Sequence, residues 1–424
     1  MSGAAGGVGS APTSLWSNRD FIKLWLGTSI SNVGSQLTVL AMPLMAVLMF
    51  GAGPAETALM TAAGWAPLLL FGLPAGAWVD RLPKRPLRIA ADLASACVVT
   101  AIPISSSWDA LRLEQLYIVA FLIGSLNVLT RLTSSALLPA LVGREQLLEA
   151  NTATMASFSL TLIVGPALAG VLVQVVAPPL VLLLDAVTFV ASAACFLALN
   201  EPSSAAKQRD ASTLRQEVVE GLRWLWRNPV LFPLTVSIGM ANLAWFSVYG
   251  VLVPFATYEL RLEPAQVGLA LGAIGPPGLV GALLAAGAAR RYGPGPTMTA
   301  SLTGEMISRV LLLVAGGPPL LATLTLGLAQ GVFGLIAPLW DVNANSLRQS
   351  LTPARLLGRV TAASTFVGVG TAPMGALLGG WIAETAGLRM ALLVAALITL
   401  VALVCIVRSP VPGLRDLPQT LARQ

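Results

Sequence analysis

Five ionisable side chains stand inside long apolar stretches of the sequence, where a charge is costly and marks a functional position by default. They are Asp92, Arg131, Asp185, Glu305 and Arg309. Glu305 and Arg309 are four residues apart in the favourable acid-first order, which predicts an ion pair on one helix face. Asp92 and Arg131 stand at similar depths and predict a second, structural pair. For Asp185 and Glu305 two roles stay open, because such a carboxylate either takes up a proton or balances a cation.

The other residue types that carry out catalysis or bind metals are scarce. The sequence has no His, which removes His-based triads and HExxH zinc sites. None of the three lysines follows a Gly, so there is no phosphate-binding GxxxxGK[ST] loop. The three cysteines lie in apolar stretches without CxxC spacing, which is typical of small hydrophobic packing residues. We therefore predict neither an enzyme nor a metal or cofactor site.

The elements that must position the ionisable residues are helices that span a membrane. Of 424 residues, 56% are hydrophobic and 10% are charged, whereas a soluble domain has about a quarter of its residues charged. A hydrocarbon core of roughly 30 Å requires about 20 apolar residues per helix. The predicted spans are 21–46, 55–78, 86–106, 114–136, 152–175, 179–199, 230–257, 264–288, 296–316, 319–341, 359–383 and 388–408. The sequence thus predicts an all-α polytopic membrane protein with twelve transmembrane helices.

Lys and Arg are distributed unevenly between the loops. Twenty of the 25 fall in the tails and in the loops of one side, whereas the opposite loops hold only Arg112, Arg261 and Arg389. Because cytoplasmic loops retain positive charge, we expect a multi-pass protein of the cell membrane with both termini in the cytoplasm. This topology explains the net charge of +6 without a nucleic-acid partner.

The segment 200–229 is the longest polar stretch and divides the spans into two groups of six. Its leucines recur at helical spacing from Leu214 to Leu225, with Arg215, Arg223 and Arg227 among them. This pattern predicts an amphipathic helix along the inner leaflet, with a simple tether between two bundles as the alternative.

The two groups of spans are related by a weak internal repeat. An offset of about 211 residues places Phe21 on Phe232 and Gly76 on Gly287. Two six-helix bundles that repeat in parallel are typical of transporters. The predicted domains are a disordered cytoplasmic tail 1–18, a bundle 19–199, the linker 200–229, a bundle 230–408 and a cytoplasmic tail 409–424.

Two motifs resemble those of the major facilitator superfamily. The first, "GAWVDRLPKR" at 76–85, is similar to the signature G-x-x-x-D-R-x-G-R-[KR] between spans two and three, with Pro83 in place of the usual Gly. The matching positions are Gly76, Asp80, Arg81 and Arg85. The second, "GPALAG" at 165–170, resembles the motif of the drug:proton antiporters. "LLPALVGREQLLEAN" and "RQSLTPARLLGRV" resemble the branch that contains macrolide exporters and the enterobactin exporter.

The resemblance implies two devices where the bundles meet. Asp80 would clamp the N-terminal bundle to the start of span eleven when the inner gate closes. A bend permitted by Gly165, Pro166 and Gly170 in span five would limit leak. A carboxylate at a helix N-terminus contributes about 0.3–1 kcal/mol, which suits a latch that must release. The alternatives are that the loop charges only set topology, and that Gly and Pro are simply common in membrane helices.

The resemblance also implies a cavity lined by spans one, four, seven and ten. Amide and aromatic side chains in these spans suit a bulky amphipathic ligand, with helix packing by the amides as the alternative. The expected cavity residues are Asn32, Gln36, Asn127, Asn242, Trp245, Tyr249 and Gln330.

The sequence therefore predicts a secondary transporter that works by alternating access and exchanges a hydrophobic or amphipathic small molecule for protons. A drug, a macrolide-like natural product or a siderophore fits such a site. Two alternatives stay open: uptake or uniport of a metabolite, and a non-transporting receptor or scaffold with the same fold. The expected partners are the small molecule, protons and the lipid bilayer, and we expect the chain to act as a monomer.

Overall fold

A computed structural model describes residues 14–143, 145–200, 214–353 and 356–416 of the protein. The described chain is almost entirely helical, because a backbone in lipid has to satisfy its N–H and C=O groups internally. The α-helices are α1 (Arg19–Phe50), α2 (Pro54–Arg81), α3 (Lys84–Ser107), α4 (Leu113–Leu141), α5 (Leu147–Val175), α6 (Pro178–Leu197), α7 (Leu214–Arg227), α8 (Leu231–Pro254), α9 (Pro264–Gly272), α10 (Gly275–Tyr292), α11 (Pro294–Val314), α12 (Pro319–Leu351), α13 (Leu357–Ala386) and α14 (Leu388–Val407). No strand occurs within these ranges.

The helices give twelve membrane spans. Eleven are long and apolar enough to cross a membrane, with α9 and α10 counted together as one span. The twelfth is α2, which has 28 residues and no charged residue between Glu56 and Asp80. The predicted all-α membrane fold is confirmed.

Two of the spans are less regular than the sequence predicts. The span predicted over 264–288 is present, but its helix is broken between Gly272 and Gly275. Pro276 and Pro277 lack the N–H groups that would bond to carbonyls one turn earlier, so the α-helical ladder stops there and begins again. The span that begins with α8 ends in a π-helical turn, Phe255–Glu259.

The two ends of the molecule differ in charge. We call the end at which α1 begins and α14 finishes the basic end, since it carries Arg19, Arg85, Arg348 and Arg408. We call the other end, where α1 finishes at Gly51, the opposite end. At the basic end, α4, α5 and α12 all continue past their predicted apolar stretches, so these three helices are longer than predicted at that end.

The spans form two bundles with equivalent packing. In the first, α1 packs against α5 and α6, and α3 packs against α4 and α6. In the second, α8 packs against α13 and α14, and α11 packs against α12 and α14. The bundles meet where α2 contacts α8 and α13, and where α5 contacts α9 and α10. The predicted architecture of two six-helix bundles is confirmed.

Helix α7 packs against the second bundle. Leu225 is buried in the same apolar cluster as Leu234 and Val360, and Glu220 forms an ion pair with Arg359 at the start of α13. The helix within the predicted linker therefore has a protein-facing side. The side chains of Leu214 and Arg215, and residues 201–213, lie outside the described part.

The chain is ordered before α1 begins. Leu15–Ser17 form a 3-10 turn, Leu15 is buried, and the Trp16 ring meets the edges of Phe21 and Trp25. The predicted disorder of the tail 1–18 is thus wrong for residues 14–18, because Leu15 joins the apolar core of the first bundle. Residues 1–13 lie outside the described part.

Candidate functional site

A cavity of about 170 Å³ lies between the two bundles. It is lined by α1, α8 and α12, where Gln36, Tyr249 and Gln330 contribute polar groups to its wall. Thr61 of α2 and Pro166 of α5 complete the wall. None of the described residues that line it is charged. Such a surface suits an apolar or amphipathic ligand held by contact area and a few hydrogen bonds.

Only some of the predicted cavity residues line the cavity. The lining residues include Gln36, Trp245, Tyr249 and Gln330, as predicted. Asn32 and Asn127 are half-buried and lie outside its wall, and Asn242 faces Gly368 of α13.

The spans that enclose the cavity also differ from expectation. The implied lining by spans one, four, seven and ten is wrong for α4, which contributes no wall residue, whereas α2, α5 and the α9–α10 span do contribute. The reason is that the bundles are joined at the opposite end through α2 and α5, and these helices close over the cavity.

Trp245 and Tyr249, which line the cavity, belong to a cluster of aromatic rings. Trp245 and Phe333 are stacked, with centroids 3.8 Å apart and planes 9° apart. Tyr249 lies 6.0 Å from Trp245, and Phe246 meets Trp65 edge-on at 4.8 Å. Because Trp65 belongs to α2 and Phe246 to α8, the aromatic cluster joins the two bundles.

A buried ion pair lies against this stack. The Nη2 atom of Arg309 is 2.7 Å from Oε1 of Glu305, so the predicted pair is present. The guanidinium carbon lies 5.5 Å from the centroid of Trp245 and 5.7 Å from that of Phe333, within cation–π range. Sequence reasoning missed this contact, since nothing in the spacing links α11 to rings on α8 and α12.

Asp185 of α6 is fully buried beside α1. Its carboxylate accepts hydrogen bonds from the hydroxyls of Thr38 and Thr188, and Gly34 leaves room for this approach. Among the described residues it has no cationic partner. A buried carboxylate that is held only by hydroxyl groups differs chemically from Glu305, which has Arg309.

The predicted pairing of Asp92 with Arg131 is wrong. Asp92 pairs with Arg88 on its own helix at 3.0 Å and accepts a hydrogen bond from Ser192 at 2.7 Å. Arg88 also donates to Ser134 and lies over the Phe196 ring, so this network ties α3 to α4 and α6. Arg131 is exposed and makes no salt bridge with a described carboxylate. Arg88 reaches Asp92 first because it is one turn away on the same helix.

The signature motif lies at the basic end. Arg85 donates from Nε to the carbonyl of Phe196 at 2.9 Å and from Nη2 to that of Leu197, so it caps the end of α6. Arg81 is exposed at the end of α2. Gly76 and Asp80 lie in the last turns of α2, and the surroundings of Gly76 and the side chain of Asp80 are outside the described part.

The motif of span five lies where the bundles cross. A Cβ on Gly170 would come within 2.8 Å of the Cα of Gly268, so α5 and α9 touch backbone to backbone. Gly165 packs against Gln36 of α1, and Pro166 lines the cavity. The location at the bundle interface that the resemblance implies is therefore observed.

Among the described residues, the polar contacts that join the bundles lie at the opposite end. The four hydrogen bonds between bundles in the described part all lie at the opposite end: Tyr258 to Ala52, Gln174 to Glu263, Ala265 to Gln174 and Ala55 to Glu384. Two apolar clusters of described residues contain side chains of both bundles, whereas the clusters at the basic end each belong to one bundle. The cavity is therefore sealed from the opposite end.

Two six-helix bundles around a central uncharged cavity define a polytopic membrane protein of the major facilitator fold. The chain belongs to the transmembrane secretion effector family of this superfamily, whose sequence model matches residues 10–421.

Relatives and solved structures agree with this membership. The multidrug efflux pump Tap of Mycolicibacterium fortuitum is 31% identical over 91% of this chain and 94% of its own. The enterobactin exporter EntS of Citrobacter koseri is 29% identical over 57% of this chain and 56% of its own. The fold is shared with a bacterial homologue of the iron transporter ferroportin, at a TM-score of 0.73, 20% identity and coverage of 93% and 99%. It is also shared with the nucleoside transporter NupG, at a TM-score of 0.69, 12% identity and coverage of 91% and 98%.

Proposed function

We propose that the protein is a secondary transporter that exports a hydrophobic or amphipathic small molecule in exchange for protons. The observation that carries this proposal is the uncharged, aromatic cavity between the bundles. Two relatives whose names describe efflux, a multidrug pump and an enterobactin exporter, support the direction of transport.

The distribution of charge supports an orientation with the basic end in the cytoplasm. In that orientation the opposite end faces outward, and the structure is the state whose cavity is closed to the outside. Alternating access then requires the contacts at the opposite end to break while the bundles close at the basic end. Asp80, at the end of α2, is our proposed latch for this second closure.

Asp185 is the better placed of the two carboxylates for proton coupling. Glu305 already balances Arg309, so protonating it would break a buried ion pair. Asp185 has only hydroxyl partners in the described part, so a proton there breaks no ion pair. On the helices packed against α6, the charged side chains seen near Asp185 are Arg88 and Asp92 of α3. They bond to Ser192, which is two turns from Asp185 along α6.

Transport in inverted membrane vesicles tests the proposal. An amphipathic fluorescent dye is expected to accumulate inside vesicles that contain the protein when a proton gradient is imposed, and collapsing the gradient should release it. Equal accumulation without the gradient would indicate a uniporter. An absence of flux across a broad panel of amphipathic compounds, with correctly folded protein, would favour the scaffold alternative.

Replacing Trp245 by Ala should weaken ligand binding about five- to tenfold, because the ring offers a stacking surface in the cavity wall. The measurement is the concentration dependence of dye transport. Trp381→Ala is the matched control, since Trp381 is exposed on α13 and lies outside the cavity wall. Equal effects of the two substitutions would remove Trp245 from the binding site.

Replacing Asp80 by Asn should slow transport about two- to fivefold, which corresponds to the loss of a carboxylate at a helix N-terminus. Insertion in the membrane should be unchanged, as judged by the yield of folded protein. Glu149→Gln removes an exposed carboxylate from the first turn of α5 at the same end and serves as the control. A wild-type rate in the Asp80 variant would leave its loop with a topological role only.

A further inference from the structure

Gln174, near the end of α5, bonds to the start of α9 in the other bundle. Its side-chain oxygen accepts a hydrogen bond from the N–H of Ala265 at 3.2 Å, and its nitrogen donates to the carboxylate of Glu263 at 2.8 Å. Ala265 is in the first turn of α9, where backbone N–H groups have no intrahelical acceptor. The side chain therefore caps a helix that belongs to the opposite bundle.

Glu384, near the end of α13, makes the corresponding contact with α2. Its carboxylate accepts from the N–H of Ala55 at 3.5 Å, in the first turn of α2. It also lies 3.1 Å from the position that a Cβ on Gly53 would occupy, so the carboxylate rests directly over this helix end. A negative charge at a helix N-terminus is favourable.

The internal repeat relates the two contacts. Gln174 and Glu384 are 210 residues apart, and so are the residues that donate their N–H groups to them, Ala265 and Ala55. This offset differs by one residue from the offset of about 211 that the sequence indicates. Each bundle thus presents one capping side chain and one receiving helix, and the same contact is made twice.

The helix crossings beneath the two contacts follow the same register. Gly170 of α5 approaches Gly268 of α9, and Gly380 of α13 approaches Ala58 of α2. Each of these positions is also 210 residues from its counterpart. The caps therefore sit above two equivalent close crossings, which fix the distance between each side chain and its helix end.

The two side chains differ because their surroundings differ. The residue before α9 is Glu263, so the capping group there has to donate to a carboxylate as well as accept from an N–H, and an amide does both. At the start of α2, Glu56 already accepts from the N–H of Gly53, so the group at position 384 has only to accept from the N–H of Ala55, and a carboxylate does this. Each capping side chain thus has the donor and acceptor atoms that its helix end requires.

We propose that Gln174 and Glu384 are paired latches that hold the bundles together at the opposite end. Both contacts have to break when the cavity opens there, and each latch acts by positioning a helix rather than by touching the ligand. The inference concerns the equilibrium between two conformations and does not depend on the direction of transport or on the substrate.

Distances between the bundles test the proposal in the full-length protein. Spin labels at Trp108→Cys and Leu320→Cys, with Cys97, Cys195 and Cys405 replaced by Ser, mark the two bundles at the opposite end. In the combined variant Gln174→Ala/Glu384→Ala, the ratio of open to closed distances should rise about three- to tenfold. Glu114→Ala removes an exposed carboxylate from the first turn of α4 at the same end and should leave the ratio unchanged.

Two single substitutions separate latch chemistry from a general loss of packing. Glu384→Gln keeps an acceptor over α2 and should shift the ratio less than Glu384→Ala does. Gln174→Glu places a second carboxylate against Glu263 and should open this end more than Gln174→Ala does. An unchanged ratio in the combined variant would overturn the proposal, and so would equal effects of Gln174→Glu and Gln174→Ala.

Discussion

Glu305→Gln is expected to destabilise the protein by about 3–5 kcal/mol, because it leaves the guanidinium of Arg309 buried without its counter-ion. Arg309 is 1% exposed, and its Nε and Nη1 atoms have no hydrogen-bond partner among the described residues. The cation also lies against the Trp245–Phe333 stack, so an uncompensated charge disturbs the cavity wall. Thermal unfolding of the purified protein in detergent measures the effect.

Removing both charges should restore much of the lost stability. In Glu305→Gln/Arg309→Met no buried charge is left unpaired, and such replacements are often neutral. Glu259→Gln is the control, since the Glu259–Arg389 pair is exposed and pairs of this kind contribute about 0–1 kcal/mol. If the combined variant is as unstable as Glu305→Gln alone, Glu305 stabilises the protein by something other than its ion pair with Arg309.

Asp185→Asn is expected to abolish proton-driven dye accumulation, because the amide keeps the size of the side chain and one acceptor oxygen but binds no proton at physiological pH. Binding of the dye should remain, since Asp185 lies behind α1 and outside the cavity wall. The measurements are gradient-driven accumulation in inverted vesicles and equilibrium binding to the purified protein.

The control for this substitution is Asp109→Asn in the exposed loop between α3 and α4. Asp109 has a φ of 53°, a conformation that Asn adopts as readily, so the backbone should be unaffected. Retained gradient dependence in Asp185→Asn would exclude Asp185 as the coupling site, and the same assay on a stable Glu305 variant would then test the other carboxylate.

The spans were predictable because each of them has to be apolar along its whole length, and this requirement is local. The pairing of charges was not. Asp92 was assigned to Arg131 on depth alone, but its neighbours are fixed by how α3, α4 and α6 pack, and Arg88 is within reach on the same helix. The pair of Glu305 and Arg309 was predictable, because four residues on one helix are enough to bring them together.

The cavity was predictable in its chemistry and only partly in its walls. Of the polar and aromatic residues proposed on α1, α8 and α12, Gln36, Trp245 and Gln330 line the cavity in this structure. The parts taken by α2, α5 and the broken span depend on how the two bundles dock. Docking is set by contacts between distant parts of the chain, so local sequence patterns do not say which helices wall the cavity.

The extra length of the helices at the basic end has a consequence for the surrounding bilayer. At 1.5 Å per residue, the 33 residues of α12 extend about 50 Å, whereas the hydrocarbon core is about 30 Å thick. Most of the excess lies at the basic end, so the tips of α4, α5 and α12 stand among headgroups and water. In the proposed alternating access, displacement of the bundles there would move mainly hydrated surface, and the acyl chains would need little rearrangement. The thickness of the host membrane should therefore have less influence on closure at this end than on the fit of the apolar spans themselves.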